Sequence, residues 1–368
     1  MFGEKKNFGF GCMRLPQKDG VPDVGTFSRM VDRFMEAGFN YFDTAHGYHR
    51  GKSETALRES LTSRYPRDSY ILVDKLSDNY FSSEEEIRPF FESQLKALGV
   101  DYLDLYLMHA QDERNYAKYK ECRAYETALE LKKEGAIRHF GISFHDRAEV
   151  LDRILTEYPE IEAVQIQFNY LDYDSPSVQS RLCYETCRKH GKPVIVMEPV
   201  KGGSLARVPD DVAAIISPLG ISPAELAIRY AASFEGVFMV LSGMSDLSMV
   251  EENVSFMSDF RPLGDEEKAV VEKAREAFSA RRSIPCTGCR YCTERCPAGI
   301  PIPEIFSCLN TKDEFGTWNA NFYYEQFTAS GPKASDCLEC GACEDGCPQH
   351  LGIRALLKRA AETFEKEQ

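Results

Sequence analysis

Eight short apolar segments, each followed by a helical one, recur down the chain, and this recurrence limits its fold more than any other feature. The first is the glycine-punctuated stretch Phe8–Leu15, whose glycines permit close approach of a backbone or ligand. The predicted strands that follow are Asn40–Ala45, Tyr70–Leu76, Leu103–Ala110, Ile137–Ser143, Ala163–Phe168, Pro193–Pro199 and Val237–Gly243. Helical spacing fills the gaps, as in Val24–Ala37, where Val24, Phe27, Val31, Phe34 and Met35 share a face before Gly38. Further helices are predicted over Glu84–Leu98, Tyr116–Glu134, Ala148–Glu157 and Val178–His190. Eight such units over roughly 250 residues predict an α/β fold of the (β/α)8 TIM-barrel type. A doubly wound sheet uses the same alternation, but the early glycines form no GxGxxG, which argues against a dinucleotide site of that kind.

The barrel accounts for only part of the 368 residues, and the cysteines show what the rest is for. Of thirteen, nine fall between Cys286 and Cys347, while Cys12, Cys122, Cys183 and Cys187 are scattered through the first three quarters. That skew predicts a barrel unit over residues 1–280 and a metal-binding unit over 281–368. The charged amphipathic stretch Gly264–Arg282 leads from one to the other. A formal net charge of −14 gives a nucleic-acid role no electrostatic footing. The start, MFGEKKNFGFG, lacks the apolar segment of a signal peptide, and no run is long enough to span a bilayer. A cytoplasmic location without membrane association is expected.

The last quarter holds two runs of one spacing, Cys286-x2-Cys289-x2-Cys292-x3-Cys296-Pro and Cys337-x2-Cys340-x2-Cys343-x3-Cys347-Pro. Three thiolates on a tight turn can cap one face of an iron–sulfur cubane while the fourth reaches away. Zinc sites use paired CxxC or Cys/His sets, which do not explain three evenly spaced cysteines and a fourth before proline. The runs resemble those of bacterial ferredoxins and predict two [4Fe–4S] clusters. In two-cluster ferredoxins the fourth cysteine ligates the other cluster. The resemblance therefore groups Cys286, Cys289, Cys292 and Cys347 on one cluster, and Cys337, Cys340, Cys343 and Cys296 on the other. Between the runs, Ile305, Phe306, Leu309, Trp318, Phe322, Tyr323 and Phe327 fall largely at helical intervals, so a mainly α-helical ferredoxin-type domain is expected. Cys308 lies outside both runs and reads as a packed thiol.

In a barrel of this kind, catalytic groups collect at the C-terminal ends of the strands. Those ends carry Asp43 after the second strand, Lys75 after the third and His109 after the fourth, with Tyr48 on the loop beyond Asp43. Taken singly, Lys75 could be a surface lysine and His109 a core histidine; four ionisable groups at corresponding places are harder to dismiss. The string FDTAHGYHRGKSE, together with these positions, resembles the aldo-keto reductase signature, and the likeness runs from about Phe8 to about Val254. The resemblance implies an NAD(P)H-dependent oxidoreductase that interconverts a carbonyl and an alcohol, acting on a small-molecule carbonyl or alcohol. It makes Tyr48 the proton donor and His109 the group that orients the carbonyl. Lys75, held by Asp43, is expected to lower the Tyr48 pKa, as a neighbouring ammonium does.

The same resemblance marks cofactor contacts. Ser143 and Gln165 match positions that hold the nicotinamide carboxamide, although Phe144 stands where the family usually has asparagine. Met197 falls where many members stack an aromatic ring. Gly243, Glu252 and Asn253 lie in the stretch LSGMSDLSMVEENV, which resembles the adenosine-binding segment. No basic residue lies between Arg229 and Arg261, so a 2′-phosphate would meet Asp246, Glu251 and Glu252. Unless a lysine such as Lys201 arrives from elsewhere, NADH is expected over NADPH. Nicotinamide passes two electrons together and a cluster passes one, with no flavin motif between them. The clusters are therefore open to a structural role, to docking a redox partner protein, or to a substrate reduced by single electrons. An electron-transfer subunit with an idle barrel and a nucleotide-sensing module are the competing readings.

Overall fold

The computed structural model describes residues 7–316, 318–329 and 331–365. The opening MFGEKK and the side chain of Trp318, both used above, lie outside the described residues. Eight parallel strands close into a barrel: β1 (Phe8–Gly11), β2 (Tyr41–Asp43), β3 (Ile71–Leu76), β4 (Leu103–Gln111), β5 (Ile137–Phe144), β6 (Ala163–Gln167), β7 (Val194–Met197) and β8 (Val237–Gly243). Each strand pairs with its neighbours in sequence, and β1 pairs with both β2 and β8. All eight predicted strands are present. The first is shorter than expected, because the chain turns into a 3-10 helix at Cys12–Arg14 after Gly11.

Two apolar layers hold the barrel. Tyr41, Ile71, Val73, Leu105, Ile195 and Leu241 fill its interior, and a larger shell lies between strands and helices. Gly9 shows how tightly the interior is filled. A Cβ there would stand 2.7 Å from Leu241 and 2.8 Å from Tyr41, so only a hydrogen fits. The helix predicted over Tyr116–Glu134 is in fact two, Glu113–Glu121 and Ala124–Glu134. Arg123 between them takes a left-handed conformation (φ 53°), which no helix interior accommodates. A capping Asp112, whose side chain accepts from the Asn115 N–H, starts the first of the pair earlier than the apolar spacing suggested.

Helix Asp265–Ala280 does more than lead away from the barrel. Its Val271, Ala274 and Phe278 are buried in the barrel's own core, and it packs on helix Asp210–Ile216. A second apolar core, from Ile284 to Ala360, then unites helices Ile302–Phe315, Trp318–Thr328 and Ile353–Phe364 with the cysteine runs, and takes Val178 from the barrel. The two runs fold alike. Left-handed residues occur at matching offsets, Gly288 and Glu339 before the second cysteine and Arg290 and Gly341 after it, with Gly299 and His350 beyond the prolines. Each run continues into a short helix, Tyr291–Glu294 or Ala342–Asp345, and these two pack together. Among the described residues no single helix is long and apolar enough to cross a membrane.

Candidate active site

The C-terminal ends of the strands open into a cavity of about 370 Å³. Asp43, Tyr48, His109, Gln165, Met197 and Gly243 all reach its wall. β2 ends at Asp43 and β3 carries Lys75 near its end, which places the two side by side in the layer facing the mouth. Lys75 has no solvent exposure. Its ammonium donates to Asp43 Oδ1 at 2.6 Å and to the Thr44 carbonyl at 2.5 Å, while Gln165 Nε2 donates to Asp43 Oδ2 at 3.0 Å. Burial works against the charge, but Asp43, Tyr48 and Asp74 together outweigh it, so the Lys75 pKa lies above the usual lysine value.

Tyr48 sits above this pair, with Lys75 Nζ 5.1 Å from its ring centroid. The expected lowering of its pKa is not found. Burial raises it more than Lys75 lowers it, and Asp43 adds to the rise by cancelling part of the ammonium's field. The His109 ring meets Tyr48 edge to face at 6.1 Å between centroids. Its Nδ1 is joined to Ser77 Oγ at 2.6 Å, which leaves Nε2 for a ligand. Burial, and then Lys75, keep His109 neutral by pushing its pKa well below the usual value.

Behind the site, Glu54 of the SE pair is fully buried and holds His46 Nδ1 at 2.9 Å. Gln94 donates to the Lys75 carbonyl at 3.0 Å and to Glu54 at 3.4 Å, and accepts from Tyr106 at 2.6 Å, which fixes β3 where it presents the lysine. Of the predicted cofactor contacts, Ser143 is buried, with its Oγ accepting from the Ala110 N–H at 2.8 Å. Asn253 is buried and donates to Ser242 at 3.1 Å. Glu252 is exposed on helix Leu247–Ser258 and is not among the residues that line the cavity. Lys201 is not a spare cation for a phosphate, because it is buried in an ion pair with Asp172 at 2.6 Å. Arg207 instead comes within electrostatic reach of Asp246, adding to the larger effect of hydrogen bonds from Ser248 and Met249.

Sequence reasoning missed several residues at this mouth. Arg14 and Glu198 face each other at 3.9 Å, and Tyr80 stacks on Phe90 with centroids 5.0 Å apart. His145, two residues past Ser143, also lines the cavity. Burial lowers its pKa to about 4, and its enclosed Nδ1 has no hydrogen-bond partner. Asn319, Phe322 and Tyr323 come from the cysteine-bearing unit, where helical spacing placed Phe322 and Tyr323 on a helix and left Asn319 unmarked.

The thiols assemble into two groups. Cys286, Cys289, Cys292 and Cys347 line one cavity, and Cys296, Cys337, Cys340 and Cys343 another. All thirteen cysteines are free, and among the described residues no three His, Cys, Asp or Glu converge on a single metal position. Four thiols around a cavity, backed by Ile302 and Leu357 or by Phe306 and Ile353, suit the chemistry of a cluster.

A closed parallel barrel here gathers a buried ammonium, a phenol and a neutral imidazole at its strand ends, where enzymes of this architecture carry their active sites. The profile of the aldo/keto reductase family matches residues 7–276, and that of a 4Fe-4S dicluster domain matches residues 285–351. The chain belongs to the aldo/keto reductase family, whose members are oxidoreductases. It is 27% identical over 313 residues to the uncharacterized oxidoreductase YqkF of Bacillus subtilis, which covers 75% of this chain and 95% of that protein. It is 25% identical over 287 residues to L-galactose dehydrogenase of Arabidopsis thaliana, covering 72% and 88%. A solved aldo-keto reductase of Bacillus halodurans in its holo form superposes with a TM-score of 0.60 at 28% identity, over 73% of this chain and 91% of that one.

Proposed function

We propose that the barrel, residues 1–280, interconverts a carbonyl and an alcohol using NAD(P)H, and that residues 281–368 bind two [4Fe–4S] clusters. The arrangement of Asp43, Lys75, Tyr48 and His109 around one cavity carries this reading. When bound, the nicotinamide supplies the hydride and the clusters supply one-electron exchange. His109 Nε2 hydrogen-bonds the carbonyl oxygen, and Tyr48 gives that oxygen a proton. The raised pKa of Tyr48 does not prevent this, because an alkoxide is a stronger base than a phenolate. Lys75, charged and fixed by Asp43, stabilises the phenolate left behind. Ser143, Gln165 and Met197 bind the nicotinamide end, while Gly243, Asn253 and Glu252 bind the adenosine end.

Exposed Asp246, Glu251 and Glu252, and the engagement of Lys201 with Asp172, favour NADH over NADPH; Arg207 is the cation opposing that preference. A relative from Escherichia coli, 28% identical over 195 residues and matched over 57% of its length, bears the name NADH-specific methylglyoxal reductase. Cys289 and Cys340 are exposed, as are Leu338 (68%) and Tyr291 (53%), which gives a one-electron carrier protein an apolar place to meet the cluster edges. Thirteen free thiols suit a reducing cytoplasm.

The test is Tyr48→Phe in the full chain, assayed on a panel of carbonyl compounds with direct titration of both nicotinamides. Turnover should fall by about 10²-fold or more while nicotinamide binding persists. Unchanged turnover sinks the assignment, and NADPH binding about tenfold tighter than NADH sinks the cofactor preference.

A further inference from the structure

One wall of the active-site cavity does not belong to the barrel. Asn319, Phe322 and Tyr323 lie on one face of helix Trp318–Thr328, at the i, i+3, i+4 spacing that brings side chains together. Each touches a different part of the barrel mouth. Tyr323 is buried and donates its hydroxyl proton to Gln167 Oε1 at 2.6 Å. Phe322 meets the His145 ring edge-on at 5.2 Å, and Asn319 Nδ2 reaches Glu198 Oε2 at 3.4 Å. The loops past β5 and β7 and the end of β6 are therefore all tied to one helix of the cysteine-bearing unit.

The tie continues inward. Gln167 donates to Asp172 Oδ2 at 2.8 Å, and Lys201 donates to Asp172 Oδ1 at 2.6 Å. Asp172 and Lys201 in turn line a second cavity together with Cys286. A buried polar chain thus runs from Tyr323 to Lys201, which lines the same cavity as one cysteine of a thiol cage. The apolar packing tells the same story, because Tyr323, Cys292, Cys343 and Phe306 belong to one core, with Phe322 packed against it. A unit this small, with four thiols around each of two cavities, draws much of its folding free energy from what those thiols bind.

We propose that the cluster-binding unit completes the substrate pocket: Phe322 and Tyr323 are its substrate-facing wall, and loaded clusters hold that wall in place and so set which carbonyl the barrel accepts. The inference rests on the carbonyl-reduction reading above and names the substrate side of that site. Arg14 on the cavity wall faces Glu198, and Lys75 behind that wall is held by Asp43, so the pocket takes a neutral carbonyl compound. Phe322 and Tyr323 on one side, with Tyr48 and Tyr80 elsewhere on the wall, favour one that carries a flat ring.

The test uses the full chain with its clusters, prepared without oxygen and checked for iron and sulfide, and saturated with oxidised nicotinamide so that no hydride can be delivered. Benzaldehyde and butanal are the two probes, titrated by calorimetry. Phe322→Ala should weaken benzaldehyde binding by about tenfold through lost apolar burial. It should leave butanal within about twofold. Phe322→Leu should restore most of the loss, and nicotinamide affinity and iron content should match the unaltered chain. Chelator-stripped chain that still binds nicotinamide should lose the same preference for benzaldehyde. Equal effects on both probes, or full discrimination in the stripped chain, overturn the proposal alone. An unaltered chain that binds and reduces neither probe overturns both this proposal and the carbonyl-reduction reading.

Discussion

Lys75 keeps its charge without any solvent because Asp43 and Thr44 take the place of water, and a buried ammonium lacking them would surrender its proton. The position of these residues was legible in the sequence, since a strand's length fixes which side chain stands at its end. The sign of the Tyr48 shift was not legible, because it depends on how many atoms crowd the phenol, which no local pattern encodes. His145 was hidden for a similar reason. It stands beyond β5 and becomes a site residue only when Phe322 arrives from a distant helix. Its titration should be measurable. Unfolded, it takes a proton near pH 6.5; folded, it resists until about pH 4. Stability is therefore complete above the unfolded value and is lost as pH falls through this window, as linkage requires. Thermal melts between pH 7 and 4 should show a shallower decline for His145→Gln than for the unaltered chain. Parallel curves would mean that the imidazole is not held neutral.

At the scale of elements, strand existence followed from apolar runs, and most strand ends fell within a residue or two of expectation. Helix breaks were less visible. The periodicity of Tyr116–Glu134 is continuous across Arg123, whose left-handed backbone no helix propensity marks. Strand spacing inside the barrel depends on absent atoms as much as on present ones. A Cβ on Gly141 of β5 would lie 2.6 Å from the Ala163 carbonyl and 2.8 Å from Leu107. Neither β6 nor the interior layer can yield freely. Gly141→Ala should cost about 1–3 kcal/mol, the scale of overpacking a filled core. Denaturant titration should show a lower midpoint with an unchanged slope; an unchanged midpoint would mean that the strands part without cost.

For the whole molecule, the sequence showed two units but not how they meet. Spacing identifies a cysteine run from within a dozen residues, whereas the contact between Tyr323 and Gln167 spans 156 positions and leaves no local trace. The grouping of thiols gives a test across that distance. Cys347→Ser should damage the cluster held by Cys286, Cys289 and Cys292, because oxygen is a poor ligand for iron in such a soft site. Mössbauer or paramagnetic resonance spectra of the two serine variants, Cys347→Ser and Cys296→Ser, separate the alternatives. Damage confined to the Cys337, Cys340 and Cys343 cluster in Cys347→Ser, or to the Cys286, Cys289 and Cys292 cluster in Cys296→Ser, would show that each run closes on itself. The crossing of Cys296 and Cys347 between the two cages also imposes an order in time. A ribosome releases the first three thiols of one cage long before the fourth, so neither cage can be filled on a nascent chain until the second run has emerged. Phe322 and Tyr323 lie between the runs, so on the proposal above the wall they form is fixed only after both runs have been made. On that proposal, iron delivery is the last step in shaping a pocket whose own wall carries no thiol.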